Sequence, residues 1–391
     1  MRRVLEVVSH YPRLSQTFVS NEVAELRRQG MRVDVLSLFP GDDGLPRDGI
    51  VLSERFEDYG ERRAALRRFR MRHPVRYRRF RQAVAAIPSE VGGYQTQIEW
   101  MKLPALAEEL RRDLPAVLHA HFAWNAAAAA MCLSKLLGVP WTMTLHANDI
   151  FSKVRNLDVK LRDADALVTV CDYNRRWLEA EHGLDRPVTM VVCGVEVPPR
   201  APRNPTVDVV AVGRLVEKKG FDVLIDAAAT VRERRPDLRI EILGEGPLHD
   251  DLAARIRRLG LEEHVRLVGA RPHAETLALI ASARVFCLPC RIAADGDRDS
   301  MPVVIKEAMA RAVPVVATDE VAVPEMVDDT CGVLVPPDDP AALAAALLSV
   351  LDDPDRAAAM GEAGRRRVEE RFTLAGEVRK LAGLFASMGA R

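Results

Sequence analysis

The sequence predicts an α/β protein made of two domains of similar size, each a mostly parallel sheet flanked by helices. Three observations carry that prediction. The chain has 391 residues, more than one hydrophobic core usually supports. Short apolar runs alternate with longer amphipathic stretches along its length, the rhythm of strand–helix–strand units whose strands are buried on both faces. Near the middle that rhythm breaks at a stretch holding prolines 198, 199, 202 and 205, which reads as an extended linker.

In the first half, strands are expected at 4–8, 33–38, 117–120, 141–145, 166–170 and 188–192. Helices are expected at 21–29, stopped by Gly30, and at 125–137, stopped by Gly138. The second half restarts with strands at 207–212, 239–243, 265–268, 285–288, 314–317 and 332–335. Terminal helices are expected over 341–351 and 355–391. This gives a first domain at 1–197, a linker at 198–205 and a second domain at 206–372, with a last helix at about 373–391 crossing back to pack on the first. Ligands of open α/β sheets bind beyond the carboxyl ends of the strands, so the loops there are where function is sought.

Composition narrows the class. Hydrophobic residues make up 48% of the chain, enough for two buried cores. Lys plus Arg and Asp plus Glu both total 56, so no global field favours nucleic acid. One local patch departs from that balance: the segment 61–82, with ten arginines interleaved with Leu66, Phe69, Val75, Tyr77 and Phe80. It reads either as a solvated helix pair or as a contact for anionic lipid headgroups or a pyrophosphate-linked acceptor. The run MRRVLEVV contains Glu6 and is followed by no small-residue cleavage site, so it reads as a first strand and not as a signal peptide. No uninterrupted apolar run is long enough to span a bilayer. The chain is expected in the cytoplasm, with peripheral contact to the inner membrane face through the Arg-rich segment. Six scattered cysteines (132, 171, 193, 287, 290 and 331) suit reduced core thiols, the pair 287 and 290 included.

After the strand at 207–212 comes VGRLVEKKGFDVLIDA. Arg214 offers a planar fork for phosphate oxygens, Lys219 a mobile charge, and Gly220 lets the backbone turn close to a ligand. The next strand ends in ILGEGP, where Gly244, Glu245 and Gly246 form a tight turn. Its amides suit an anion, and its glycines equally suit close packing. A third loop, RIAADGDRDSMPVVIKEAMARAVPVVAT, places Asp299 and Glu307 at either end of Ser300, Met301, Pro302 and Val303. Pro302 at a helix start leaves amides for a diphosphate, and a carboxylate at each end matches hydroxyls on either side of it.

Together these three stretches resemble glycosyltransferase family 4, a large group of retaining enzymes, over nearly the whole chain. The resemblance implies the GT-B fold, two Rossmann-like domains facing across a cleft, and a nucleoside-diphosphate sugar as co-substrate with no cofactor. It assigns Arg214 and Lys219 to the donor diphosphate, Asp299 to the donor sugar and Glu307 to the ribose. Family members usually carry Glu and Gly-Phe-Gly where this chain has Asp299 and Ser-Met-Pro. That change, with the SQTF run at Ser15, Gln16 and Thr17, resembles the exopolysaccharide or colanic-acid branch. Ser15 to Thr17 also reads as an ordinary helix N-cap. Two histidine loops, LHAHFAW and TLHANDI, hold His119, His121, His146 and Asp149. The resemblance puts His121 and His146 on sugar hydroxyls, with Asp149 orienting them.

Asp295, Asp297 and Asp299 match a metal-binding DxD spacing, but two cations already serve the diphosphate, so no metal site is expected. A Ser-His-Asp hydrolase is excluded because no G-x-S-x-G elbow occurs. The expected activity is retaining, metal-independent transfer of a sugar to a hydroxyl of a glycan, glycolipid or small glycoside by front-face attack. The other uses of the same fold are a nucleotide-sugar epimerase or hydrolase and a non-catalytic nucleotide-sugar-binding protein.

Overall fold

The computed structural model describes residues 3–45, 48–87, 94–151 and 155–388, with the side chains of 94–99 outside that description. The chain divides into two compact units, Met1–Val192 with Glu377–Arg391, and Cys193–Gly376. The prolines at 198–205 therefore lie inside the second unit. Arg365 donates to the Pro198 carbonyl at 2.6 Å, tying that stretch to its own unit.

The first unit is a seven-stranded parallel sheet of β1 (Arg3–Tyr11), β2 (Arg32–Pro40), β3 (Ile50–Val51), β4 (Val117–His121), β5 (Trp141–Leu145), β6 (Ala166–Thr169) and β7 (Val188–Met190). Their order is β3-β2-β1-β4-β5-β6-β7. All five residues of β4 and of β5 are buried, as expected of strands covered on both faces. The helix Asn125–Leu137 ends as the sequence predicts: Gly138 takes φ +70° and its amide caps Ser134 at 2.7 Å. Leu381 and Phe385 of the last helix, Leu374–Met388, are both essentially inaccessible, and the Phe385 ring lies 5.1 Å from that of His119 in β4. Glu377 of the same helix accepts a hydrogen bond from the Val192 amide at 2.9 Å, where the chain leaves the first unit.

The second unit holds β8 (Val207–Val212), β9 (Ile240–Leu243), β10 (Val265–Gly269), β11 (Ala283–Leu288), β12 (Val315–Thr318) and β13 (Gly332–Val335) in the order β10-β9-β8-β11-β12-β13. Every pairing is parallel. In both units the order reverses beside the first strand of the unit, and loops there open where ligands of such sheets bind.

Several local expectations are corrected. The first helix runs Thr17–Arg28, starting earlier than 21, because a 3-10 turn at Leu14–Gln16 leads into it. Gln16 is its N-cap but makes no side-chain capping bond, so Ser15–Thr17 is not an ordinary cap. Between β2 and β4 lie the edge strand β3 and the helices Tyr59–Arg72, Pro74–Ala86 and Tyr94–Leu110. The last of these lacked a clear period, since Pro104 sits inside it. The tail splits into Pro354–Arg371 and Leu374–Met388, and residues 389–391, within the expected last helix, lie outside the described residues.

Candidate functional site

In the first unit, strand register assembles a polar group inside an apolar sheet. Glu6 of β1 pairs with His119 of β4, and His119 and His121 pair in turn with Thr142 and Thr144 of β5. Residues two apart share a face, so these five side chains cover one patch of three central strands. All five are buried. The His119 ring lies 2.5 Å from the Thr142 hydroxyl and 3.0 Å from that of Thr144. Burial, with His121 and His146 adding to it, holds its pKa well below the usual range and keeps the ring neutral.

His121 is engaged on both nitrogens: Nε2 lies 2.9 Å from Glu22 Oε1, and Nδ1 lies 3.3 Å from His146 Nε2. Glu22 comes from the helix Thr17–Arg28, one turn beyond Phe18. His146 stands between aromatic rings, 4.3 Å from the centre of Phe122 and 5.0 Å from that of Phe18. Burial, then His121, lowers its pKa well below the ordinary value. Phe122 sits at φ +69°, a left-handed conformation costing a non-glycine residue about 1–2 kcal/mol. That strain sits directly after His121.

Asp149 fixes the two histidine loops together. Fully buried, it accepts the Ala123 amide at 2.7 Å and the His146 amide at 2.8 Å. Burial raises its pKa to about 6 against the opposing pull of those amides. Lys160 donates to the Ala123 carbonyl from the other side at 2.5 Å. Ser15 is exposed, with Gln16 and Thr17 half-buried, on a turn held by the Leu14 amide donating to Asp42 at 2.8 Å.

In the second unit the three motif loops do come together. Gly213 lies against the Lys219 side chain: a Cβ there would meet Lys219 Cε at 2.9 Å. A Cβ at Gly244 would meet the Gly213 carbonyl at 1.8 Å, and one at Gly246 the Leu215 carbonyl at 2.5 Å. Those glycines therefore serve packing of one loop on the next. The expectation of free amides is corrected at Gly244, whose amide donates to Gly269 O at 3.0 Å. Glu245 is exposed beside them.

Lys219 and Asp299, assigned by sequence to different parts of the donor, are paired with each other at 2.5 Å. Lys218 joins them, 3.3 Å from Asp299 and 3.0 Å from Asp297. Burial alone would raise the Asp299 pKa, but the Lys219 and Lys218 ammonium groups outweigh it and hold the carboxylate well below the usual range. Cys290 lies 3.6 Å from the same carboxylate, and burial pushes its thiol up to about 12, far from reactivity. Arg214 is exposed on the same loop as Lys219. Ser300, Met301 and Pro302 are buried and Val303 half-buried, with Pro302 the N-cap of the helix Val303–Met309. Glu307 is buried with Oε1 2.8 Å from His273 Nε2. The Glu307 hydrogen bond, set against burial, raises the His273 pKa.

Sequence reading missed Glu6, Glu22, Lys218 and His273. Glu6 had a signal, a charge in the middle of an apolar run. Glu22 and His273 had none, because each meets its partner across a long sequence separation.

Two parallel Rossmann-like sheets, one in each unit, have the architecture of the GT-B fold class. Residues 199–367 match the family model "Glycosyl transferases group 1", and residues 15–194 match "Glycosyl transferase 4-like domain". The chain belongs to glycosyltransferase family 4, and it is a transferase. It is 29% identical over 401 residues to WcaL of Escherichia coli (strain K12), named for colanic acid biosynthesis, covering 97% of this chain and 98% of that one. Its fold matches sucrose-phosphate synthase from Thermosynechococcus elongatus at TM-score 0.74, with 19% identity and full coverage of both chains. It also matches Anabaena Alr3699/HepE in complex with UDP and glucose at TM-score 0.73, with 18% identity over 99% of this chain and 100% of that one.

Proposed function

We propose that this enzyme transfers a sugar from a nucleoside-diphosphate donor to a hydroxyl of a glycan, glycolipid or small glycoside, with retention and without a metal at the diphosphate. The observation that carries the reading is the buried Lys219–Asp299–Lys218 cluster beside exposed Arg214. Arg214 adds positive charge there, and the ion pairs hold the Lys219 and Lys218 N–H donors in fixed positions, the kind of preorganised stabilisation of a leaving diphosphate that lowers such barriers. Asp297 and Asp299 are already neutralised by ammonium groups, which favours a metal-free diphosphate site over a DxD one.

In this reading Arg214 and Lys219 bind the diphosphate, Asp299 a donor-sugar hydroxyl, and Glu307 the ribose, with Gly244–Gly246 and Ser300–Val303 shaping the surface. As the bond from the sugar C1 to the phosphate oxygen breaks, the acceptor oxygen bonds C1 on the same face. The departing phosphate oxygen takes the acceptor proton, so no protein nucleophile is needed. His146, the more accessible histidine, binds sugar hydroxyls, and His121 and Asp149 position it. The WcaL similarity supports a product in polysaccharide assembly, and the HepE complex supports a UDP- or related nucleotide-sugar. The Arg-rich helices Tyr59–Arg72 and Pro74–Ala86 support peripheral contact with an anionic membrane surface. Among the described residues no helix is long and apolar enough to cross one.

A thermal-shift panel of UDP-, GDP-, ADP- and TDP-sugars, with and without chelator, tests the donor site, since a ligand bound only by the folded state raises apparent stability. One nucleotide class is expected to give a chelator-insensitive shift that Lys219→Ala abolishes. Normal nucleotide affinity in Lys219→Ala would sink the diphosphate assignment.

A further inference from the structure

We propose that the first unit binds a divalent transition-metal ion, zinc being the best fit, between Glu6, Glu22 and His121, with His119 as the fourth ligand. One donor atom from each of these four residues lies within 4.8 Å of all the others. The cluster is not merely acidic. Glu6 is wholly inaccessible, and neither of its carboxyl oxygens has a hydrogen-bond partner among the described residues. Leaving a buried polar group unsatisfied is destabilising, and more so for a charged one. A proton on Glu6 would neutralise it but supply no acceptor for that proton. A cation satisfies the carboxylate and offsets the charge of Glu22 as well.

The geometry suits a small ion. Bonds of about 2.0–2.1 Å in a tetrahedron place ligand atoms about 3.4 Å apart. Glu22 Oε1 and Glu6 Oε2 lie 2.9 and 3.8 Å from His121 Nε2, on either side of that spacing. His119 enters by giving up one of its two threonine hydroxyls. Two imidazoles among four ligands favour zinc over magnesium or calcium, which prefer oxygen and retained water. An ion on His121 Nε2 leaves the imidazole proton on Nδ1, which then donates to His146 Nε2 at 3.3 Å. His146 in turn carries its proton on Nδ1. Without the ion, Nε2–H of His121 donates to Glu22 and that order reverses, so the ion sets which form of His146 is presented.

All four ligands belong to the first unit and the diphosphate residues to the second, so loss of metal and loss of donor binding are separate readouts. The test is calorimetric zinc titration of chelator-stripped full-length protein, with cobalt absorption reporting a tetrahedral nitrogen–oxygen set. Stoichiometric zinc is expected, with UDP or GDP binding unchanged by stripping. Glu6→Gln and Glu22→Gln should weaken zinc at least about tenfold, whereas Cys290→Ser should retain it. Glu22 is partly exposed, so Glu22→Gln serves if Glu6→Gln fails to fold; its folding is checked by circular dichroism. Zinc uptake equal in wild type and Glu22→Gln, absent from both, or lost in Cys290→Ser would overturn the proposal.

Discussion

At the scale of single residues, the second unit shows charges recruited to hold one another before any ligand arrives. Lys219 and Glu307 were legible as chemistry-bearing because a cation and an acid stood in loops after strands. Their pairings were not, since Asp299, legible in its own right, reaches Lys219 and His273 reaches Glu307 only through the fold. The His273–Glu307 contact gives a pH prediction. With its folded pKa raised above 6.5, His273 adds stability that is fully present below that value and is lost as pH rises through the folded pKa. The melting-temperature difference between wild type and His273→Ala should therefore be larger at about pH 6 than at about pH 9. A difference that is flat or grows with pH would show that the pair is not charged as described.

At the scale of elements, the strands were readable because short apolar-rich runs alternate with longer amphipathic stretches, even though β1, β4 and β5 carry the polar residues Glu6, His119, His121, Thr142 and Thr144 among their apolar ones. Helix ends were readable where glycine takes a left-handed conformation, as at Gly30 and Gly138. The start of the first helix was not, because a 3-10 turn rather than a side-chain cap leads into it. The turn after β8 shows glycine used twice over. Gly220 has φ +62°, and a Cβ there would meet the Pro289 carbonyl at 2.0 Å. Gly220→Ala should thus destabilise the protein by more than about 1 kcal/mol, read from the urea midpoint, and should weaken nucleotide binding by displacing Lys219. An unchanged midpoint would mean that this turn relaxes freely.

At the scale of the whole molecule, charge is balanced overall but concentrated locally. Arg63, Arg67, Arg70, Arg78, Arg79 and Arg81 are exposed on the helices Tyr59–Arg72 and Pro74–Ala86. Beside them Met71 is 74% and Val75 55% exposed. Cations around exposed apolar side chains suit an anionic headgroup surface. Full-length protein should sediment with vesicles containing phosphatidylglycerol but not with purely phosphatidylcholine ones. Replacing Arg67, Arg70 and Arg78 with Glu should abolish that sedimentation. Equal binding to both vesicle types, or none to either, would return the patch to a solvated helix surface.

The sequence by itself determined the two-unit α/β architecture and the tight glycine turns of the second unit, because strand burial and glycine turns act over short stretches of chain. Where the chain passes between units was decided by tertiary structure: packing holds the prolines at 198–205 in the second unit and returns Glu377 to the first. The same holds for the pairing of Lys219 with Asp299 and for Glu6 meeting His121. Such contacts join residues far apart in the chain, and only strand register and helix placement bring them within a hydrogen bond's reach.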